Sequence, residues 1–344
     1  MQYHKILLLG LGFWGDQWMK TLTSTQNCKV AGIAAGQQSI EKIAGKYGVS
    51  KDLGYTDYRE AIENTDADIV VITLPTTLHM DAAIRSLEKG LNVICEKPLA
   101  ENSEEAAAIV ECRKKYPALK FMVNQNYRWR QHNQTIRRAV LDGMIGAPGS
   151  VHIEFRQPEC FIGYREFMEM PLLQDVCIHH FDLIRFFTGK NCEKILACTY
   201  RPVWSRYGGK PSTEAIMIME DGIVANYNGT WAARGRETSW DGNITITGDK
   251  GCIVLSADNA VRFYAAGDSR GVLLKHAEMD VAELNYALSM FIKCVEKDTL
   301  PECDLEDNCQ SLSMVCAADE SMRQNAFVKV DVTRITASAR MTNS

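Results

Sequence analysis

Up to about Asn124 the chain alternates short apolar runs with amphipathic stretches, an order that builds a doubly wound parallel sheet. Near-continuous apolar runs predict buried strands over 5–9, 29–34, 68–73, 92–95 and 120–123. Between them a 3.6-residue period predicts helices over 13–24, 40–47, 58–63, 80–88 and 104–116. Gly48 and Gly90 read as helix stops and Ser103 as a helix start. After the run Asn126-Tyr127-Arg128-Trp129-Arg130 the period changes. A helix over 133–142 precedes alternating strands over 150–156, 194–200, 214–219, 223–227, 243–247 and 251–255, with Asp221-Gly222 and Asp249-Lys250-Gly251 as hairpin turns. Helices over 175–187, 283–296 and 305–323 complete this half. The expected fold class is α/β: a doubly wound parallel-sheet domain over 1–124 and an α+β domain over 125–344 with a large, mostly antiparallel open sheet.

The first strand runs into Gly10-Leu11-Gly12-Phe13-Trp14-Gly15, the G-x-G-x-x-G spacing of a Rossmann dinucleotide site. Gly10 permits the tight turn, Gly12 removes the side chain that would block a pyrophosphate, and Gly15 lets the next helix pack closely. The helix N-terminus then faces the anion. Phe13 and Trp14 are placed to shield the cofactor or to pack on the sheet. An NAD site carries Asp or Glu at the end of the second strand, where this chain reads Ala34-Ala35-Gly36-Gln37-Gln38-Ser39. With no carboxylate to repel a 2′-phosphate, NADP is favoured, with Gln38, Ser39 and Lys42 as phosphate contacts; the lack of Arg keeps NAD open.

Two further motifs follow parallel strands, where ligands bind in open α/β sheets: Leu74-Pro75-Thr76-Thr77-Leu78-His79 and Cys95-Glu96-Lys97-Pro98-Leu99. Lys97 is a donor to a substrate hydroxyl or a solvated surface lysine. A fourth motif, Asp175-Val176-Cys177-Ile178-His179-His180-Phe181-Asp182, opens a predicted helix, and positions 175, 179 and 182 would share one face. Singly, these residues read as an N-cap, a core histidine and a hydrogen-bond partner. As a set they read as base chemistry, for which imidazole has the right proton affinity. Tyr127, Arg128 and Trp129 line a substrate pocket or pack at a domain boundary.

The combination Gly10-x-Gly12-x-x-Gly15, Glu96-Lys97-Pro98 and Asp175-x-x-x-His179-x-x-Asp182 resembles the glucose-fructose oxidoreductase, inositol dehydrogenase and rhizopine-catabolism (Gfo/Idh/MocA) family. Tyr47-Gly48-Val49, Trp240-Asp241-Gly242 and Gly248-x-x-Gly251 extend the likeness over nearly the whole chain. The resemblance implies an NAD(P)-dependent oxidoreductase acting on a sugar, polyol or related carbohydrate in a cleft between domains. It implies that Lys97 contacts the reacting hydroxyl, His179 is the general base, Asp175 orients substrate or His179, and a cis bond precedes Pro98. Together the motifs make Gly10, Gly12, Phe13, Trp14, Gly15, Ser39, Pro75, His79, Glu96 and Lys97 the candidate cofactor-binding set. Cys177, where relatives often have Gly, and the segment 168–173 depart from the family pattern and bear on substrate identity. Transient oxidation that assists glycoside cleavage, or a cofactor-sensing regulator, would use the same parts.

The composition fits this reading. The chain has 344 residues, 46% hydrophobic and 24% charged, long enough for about two domains. A net charge of -5 without a basic stripe gives no footprint for nucleic acid. No apolar run reaches the ~18 residues of a membrane span, and no signal-peptide cleavage site follows the first strand, so a cytoplasmic enzyme is expected. The twelve cysteines show no C-x-x-C pair and read as buried thiols; His179-His180 with Asp175 lacks a further spaced ligand, so no metal is expected. The open sheet needs cover, which predicts a homodimer or homotetramer.

Overall fold

Strand β1 (His4–Leu9) is apolar on both faces because it lies at the centre of a parallel sheet with helices to cover. Its neighbours are β2 (Cys28–Ala34), β3 (Gly54–Tyr55), β4 (Ile69–Ile72), β5 (Asn92–Glu96) and β6 (Phe121–Asn124), in the order β3-β2-β1-β4-β5-β6. The order reverses direction at β1, so β1 and β4 flank the switch point where such sheets bind ligands. Helices α1 (Phe13–Ser24), α2 (Gln37–Tyr47), α3 (Tyr58–Asn64), α4 (His79–Glu88) and α5 (Ser103–Lys115) alternate with these strands. The computed structural model describes residues 3–159, 163–281 and 283–337.

Three details differ from the sequence pattern. Helix α2 starts at Gln37 rather than near 40, because Gly36 supplies an extended N-cap and Gln37 to Ser39 form the first turn. The N-cap of α5 is Asn102 rather than Ser103: its Oδ1 accepts from the Glu105 amide at 2.9 Å. The two-residue strand β3 was too short to show a period.

The remaining elements are α6 (Gln131–Leu141), β7 (Pro148–Arg156), α7 (Pro171–Asp175), α8 (Cys177–Thr188), β8 (Cys192–Tyr200), β9 (Ser212–Met219), β10 (Val224–Thr230), β11 (Asn243–Gly248), β12 (Gly251–Leu255), β13 (Val261–Ala265), β14 (Val272–Leu273), α9 (Glu283–Lys297), α10 (Leu305–Gln324), β15 (Val328–Lys329) and α11 (Thr333–Thr336). A nine-stranded sheet runs β14-β13-β12-β11-β7-β10-β9-β8-β15 and is antiparallel except where β7 lies parallel to β10. The β9–β10 hairpin turns through Glu220-Asp221-Gly222, with Asp221 and Gly222 both at positive φ. One face of this sheet buries Val151, Ile153, Phe155, Met217, Ala225 and Ile246 under α6 and α8. The other leaves Ile216 and Tyr200 exposed.

Contacts divide the chain into two compact units that interleave in sequence. One holds the described parts of Met1–Asn126 and Val332–Ser344 together with Val281–Cys309, and the other holds Tyr127–Asp280 and Gln310–Asp331. In the first unit the return is anchored on β6, whose Val123 amide donates to the Cys303 carbonyl at 3.0 Å. No disulfide forms among the described cysteines. Most of them are buried as expected, but Cys198 is exposed because its position on β8 faces away from the core.

Candidate active site

The turn after β1 uses its glycines for two different purposes. Gly10 sits at φ +95, and a Cβ there would lie 2.5 Å from the Thr73 carbonyl oxygen; one on Gly15 would lie 2.2 Å from the Gly10 oxygen. These two let β1, α1 and the end of β4 close on one another. Gly12 is the N-cap of α1, has no side-chain cap, and a Cβ there would meet nothing within 4 Å. The first bond of the helix runs from the Asp16 amide to the Gly12 carbonyl, so the amides of residues 13–15 precede the helical ladder. Open space against a helix N-terminus fits a pyrophosphate. Beside it Phe13 is 73% exposed and meets Trp14 edge to face at 5.4 Å.

At the next strand end the first turn of α2 holds no acidic residue; Gln37, Gln38 and Lys42 are exposed and Ser39 is half-buried. Lys46 is tied instead to Asp16 at 2.6 Å. Pro75 is exposed and caps the single 3₁₀ turn Thr76–Leu78. His79 is buried, and its Nδ1 and Nε2 lie 2.9 Å from the carbonyls of Pro98 and Leu74. Burial holds its imidazole below the ordinary range, although both carbonyls pull the other way. The ring therefore braces two loops at the sheet's rim.

Glu96 is likewise enclosed. Its Oε1 accepts from Trp18 Nε1 at 2.9 Å and from Asn124 Nδ2 at 2.7 Å. Burial pushes its carboxyl upward, opposed by those bonds and by the neighbouring Lys97 charge. Glu96 thus locks the end of β5 to α1 and β6, immediately before a half-buried Lys97 and a cis Lys97–Pro98 peptide.

In the other unit the predicted single helix is two. Pro171 opens α7, which ends at Asp175; Val176, at φ -110 and ψ -36, still donates to the Leu172 carbonyl at 3.0 Å, and in α8 the His179 amide bonds the Val176 carbonyl at 2.9 Å. Asp175 pairs with Arg165 at 2.6 Å. Asp182 is held by the Arg128 guanidinium through two 2.6 Å bonds and accepts from Ser311 Oγ at 2.7 Å, all buried. Arg128 and Asp182 are thus committed to each other, and Trp129 is wholly buried.

His179 is 3% exposed and lies flat on the Tyr127 ring, with centroids 4.1 Å apart and planes within 1°. The Arg130 guanidinium carbon sits 3.7 Å from the same Tyr127 centroid, so it must occupy the opposite face. Arg130 Nη1 in turn meets Asp241 Oδ2 at 2.7 Å. Asp241 is buried, yet its carboxyl is held at about 2, because the His132 ring at 3.1 Å, the Arg130 charge and the Asn133 hydrogen bond outweigh desolvation. Next to His179, His180 is pulled down to about 4 by burial, with Nε2 on the Trp240 carbonyl and Nδ1 on the Tyr227 hydroxyl, each at 3.0 Å. Sequence reasoning assigned no role to Arg130 or Asp241. The one signal was Trp240-Asp241-Gly242, where Gly242 at φ +83 makes the turn that aims the carboxylate.

Residues 4–125 match the family model described as "Oxidoreductase family, NAD-binding Rossmann fold", and residues 133–254 match the "GFO/IDH/MocA C-terminal domain". The chain belongs to the GFO/IDH/MocA oxidoreductase family. Among its relatives, the myo-inositol 2-dehydrogenase of Thermotoga maritima is 26% identical over 342 residues, covering 95% of this chain and 98% of the relative. The D-apiose dehydrogenase of Paraburkholderia graminis is 23% identical over 337 residues, covering 94% and 88%. An oxidoreductase from Agrobacterium radiobacter, solved with NAD+, L-tartaric acid and magnesium, shares the fold at a TM-score of 0.86 and 19% identity, covering 96% of this chain and 99% of that one. Family membership thus agrees with the motifs and with both sheets. No described helix is long and apolar enough to cross a membrane.

Proposed function

We propose that this protein is an NAD(P)-dependent dehydrogenase for a hydroxyl of a sugar or polyol, the substrate class named for its relatives. The unit built on the first 126 residues holds the dinucleotide, and the unit of Tyr127–Asp280 and Gln310–Asp331 supplies the substrate side and the oligomer contact. The observation that carries the reading is the imidazole of His179, buried and held flat, in a chain whose other unit offers an open glycine cradle and a rim lysine. Bound nicotinamide supplies the hydride acceptor. The Lys97 ammonium donates to the reacting oxygen and favours its ionised form, while His179 accepts the proton. Desolvation raises the Tyr127 phenol well above its usual range, so it stays protonated beside the base. Phe13 and Trp14 cover the dinucleotide, Pro75 bounds it, and the side chains of His79 and Glu96 hold the rim from within.

The first turn of α2, with its glutamines, Ser39 and Lys42 and no carboxylate, supports NADP over NAD. The exposed side of the nine-stranded sheet, with Ile216 41% and Tyr200 43% exposed, suits a homodimer or homotetramer; a monomer by sedimentation would refute that. The deciding experiment measures reduced-nicotinamide absorbance with myo-inositol and a panel of aldoses, beside cofactor titrations. His179→Ala is expected to lower kcat by ~10² to 10⁴ with cofactor affinity kept, and Lys97→Met to lower it comparably. NADP is expected to bind more tightly than NAD. Undiminished turnover in His179→Ala ends the base assignment, and tighter NAD binding ends the NADP preference.

A further inference from the structure

The strongest unassigned feature in the second unit is a column of four side chains from three separated stretches of chain: Asp241, Arg130, Tyr127 and His179. We infer that Asp241 and Arg130 are positioning residues that act through Tyr127 to fix the plane of the His179 imidazole; this rests on the reading of His179 as the base. An imidazole's χ2 torsion is broad and two-fold, so neighbours rather than rotamer preference must decide where its nitrogens point. A base works only with its nitrogen within hydrogen-bond reach of the proton and aligned with it. Here the plane is set by contact: His179 and Tyr127 are parallel within 1° at 4.1 Å. A free aromatic pair would slide, but Tyr127 is held on its other face by Arg130 at 3.7 Å.

Arg130 is itself clamped. Asp241 binds its Nη1 at 2.7 Å, and Asn133 Nδ2 donates both to Asp241 Oδ1 at 2.5 Å and to the Tyr127 carbonyl at 2.8 Å. The ring, the backbone beneath it and the carboxylate are therefore joined through one buried amide. The Arg130–Asp241 pair also leaves the column without net charge, so its effect on His179 is through shape and orientation. A packing role alone would tolerate any apolar side chain of similar volume at 127. A positioning role requires a flat ring there and a cation above it.

The test uses full-length protein with 13C-labelled histidine, the His179 ring signal being assigned by its loss in His179→Gln. A ring stacked on Tyr127 shows an upfield ring-current shift. Tyr127→Phe is expected to retain the shift, Tyr127→Leu to abolish it, and Arg130→Met to reduce or split it as the stack loosens. With myo-inositol or the best aldose as substrate, Tyr127→Leu should lower kcat about tenfold, the scale of one aromatic stacking contact, with cofactor affinity unchanged. Tyr127→Phe should recover most of that loss. The inference is overturned if Tyr127→Leu keeps the shift, or loses it with kcat intact. The spectrum needs no turnover, so failure of the stack and failure of His179 as base are read separately.

Discussion

His180 offers a test of the second unit that needs no substrate. Its Nε2 faces a carbonyl, which can only accept, so that nitrogen carries the proton and Nδ1 accepts from the Tyr227 hydroxyl. Burial, the dominant cause, lowers its imidazole from 6.5 to about 4; the Trp240 carbonyl and Asp241 pull upward without prevailing. As pH falls below 6.5 the unfolded chain takes up a proton that the folded chain refuses until about 4, so stability is full above 6.5 and is lost across that window. At about 1.4 kcal/mol per pH unit the whole window is worth about 3 kcal/mol, and about 2 kcal/mol of it is gone by pH 5. The assay is urea unfolding at pH 7.5, 6 and 5, followed by tryptophan fluorescence, which reports this unit through Trp129, Trp204, Trp231 and Trp240. His180→Gln keeps a donor and an acceptor but does not titrate, and subtracting its curve removes the other histidines. Wild type should lose about 2 kcal/mol more than the variant between pH 7.5 and pH 5. Parallel losses would show that His180 is not held neutral by the fold.

Asp182→Asn should cost about 3 kcal/mol in urea unfolding, because it strands the buried Arg128 guanidinium, while cofactor titration stays unchanged; a loss below about 0.5 kcal/mol would refute the buried-pair account. Gly12→Val should fold like wild type, since its Cβ enters open space, yet weaken NAD(P) binding at least about tenfold; unchanged affinity would place the pyrophosphate elsewhere. Gly10→Ala should instead lower the melting temperature, because a Cβ at φ +95 meets the Thr73 carbonyl.

Both sheets were legible from periodicity, since apolar runs of five or six residues and strict alternation each report one kind of burial. The glycine turn was legible because its constraints are local: φ at Gly10 and contact between Gly10 and Gly15 arise within six residues. The Lys97–Pro98 rim was legible for the same reason, being a strand end followed by a proline. Partnership across long stretches of chain was not. Asp182 read as part of a catalytic face, yet its carboxylate belongs to Arg128, 54 positions earlier. Asp241 and Arg130 stand 111 positions apart, and nothing in either segment names the other. The return of 281–309 to the first unit left no local trace either. Sequence by itself determined most of the longer elements, the cradle and the family, because these follow from backbone geometry and short-range burial. Tertiary structure alone decided which charges neutralise each other and which ring holds the imidazole, because pairing energies depend on distances that the folded chain creates.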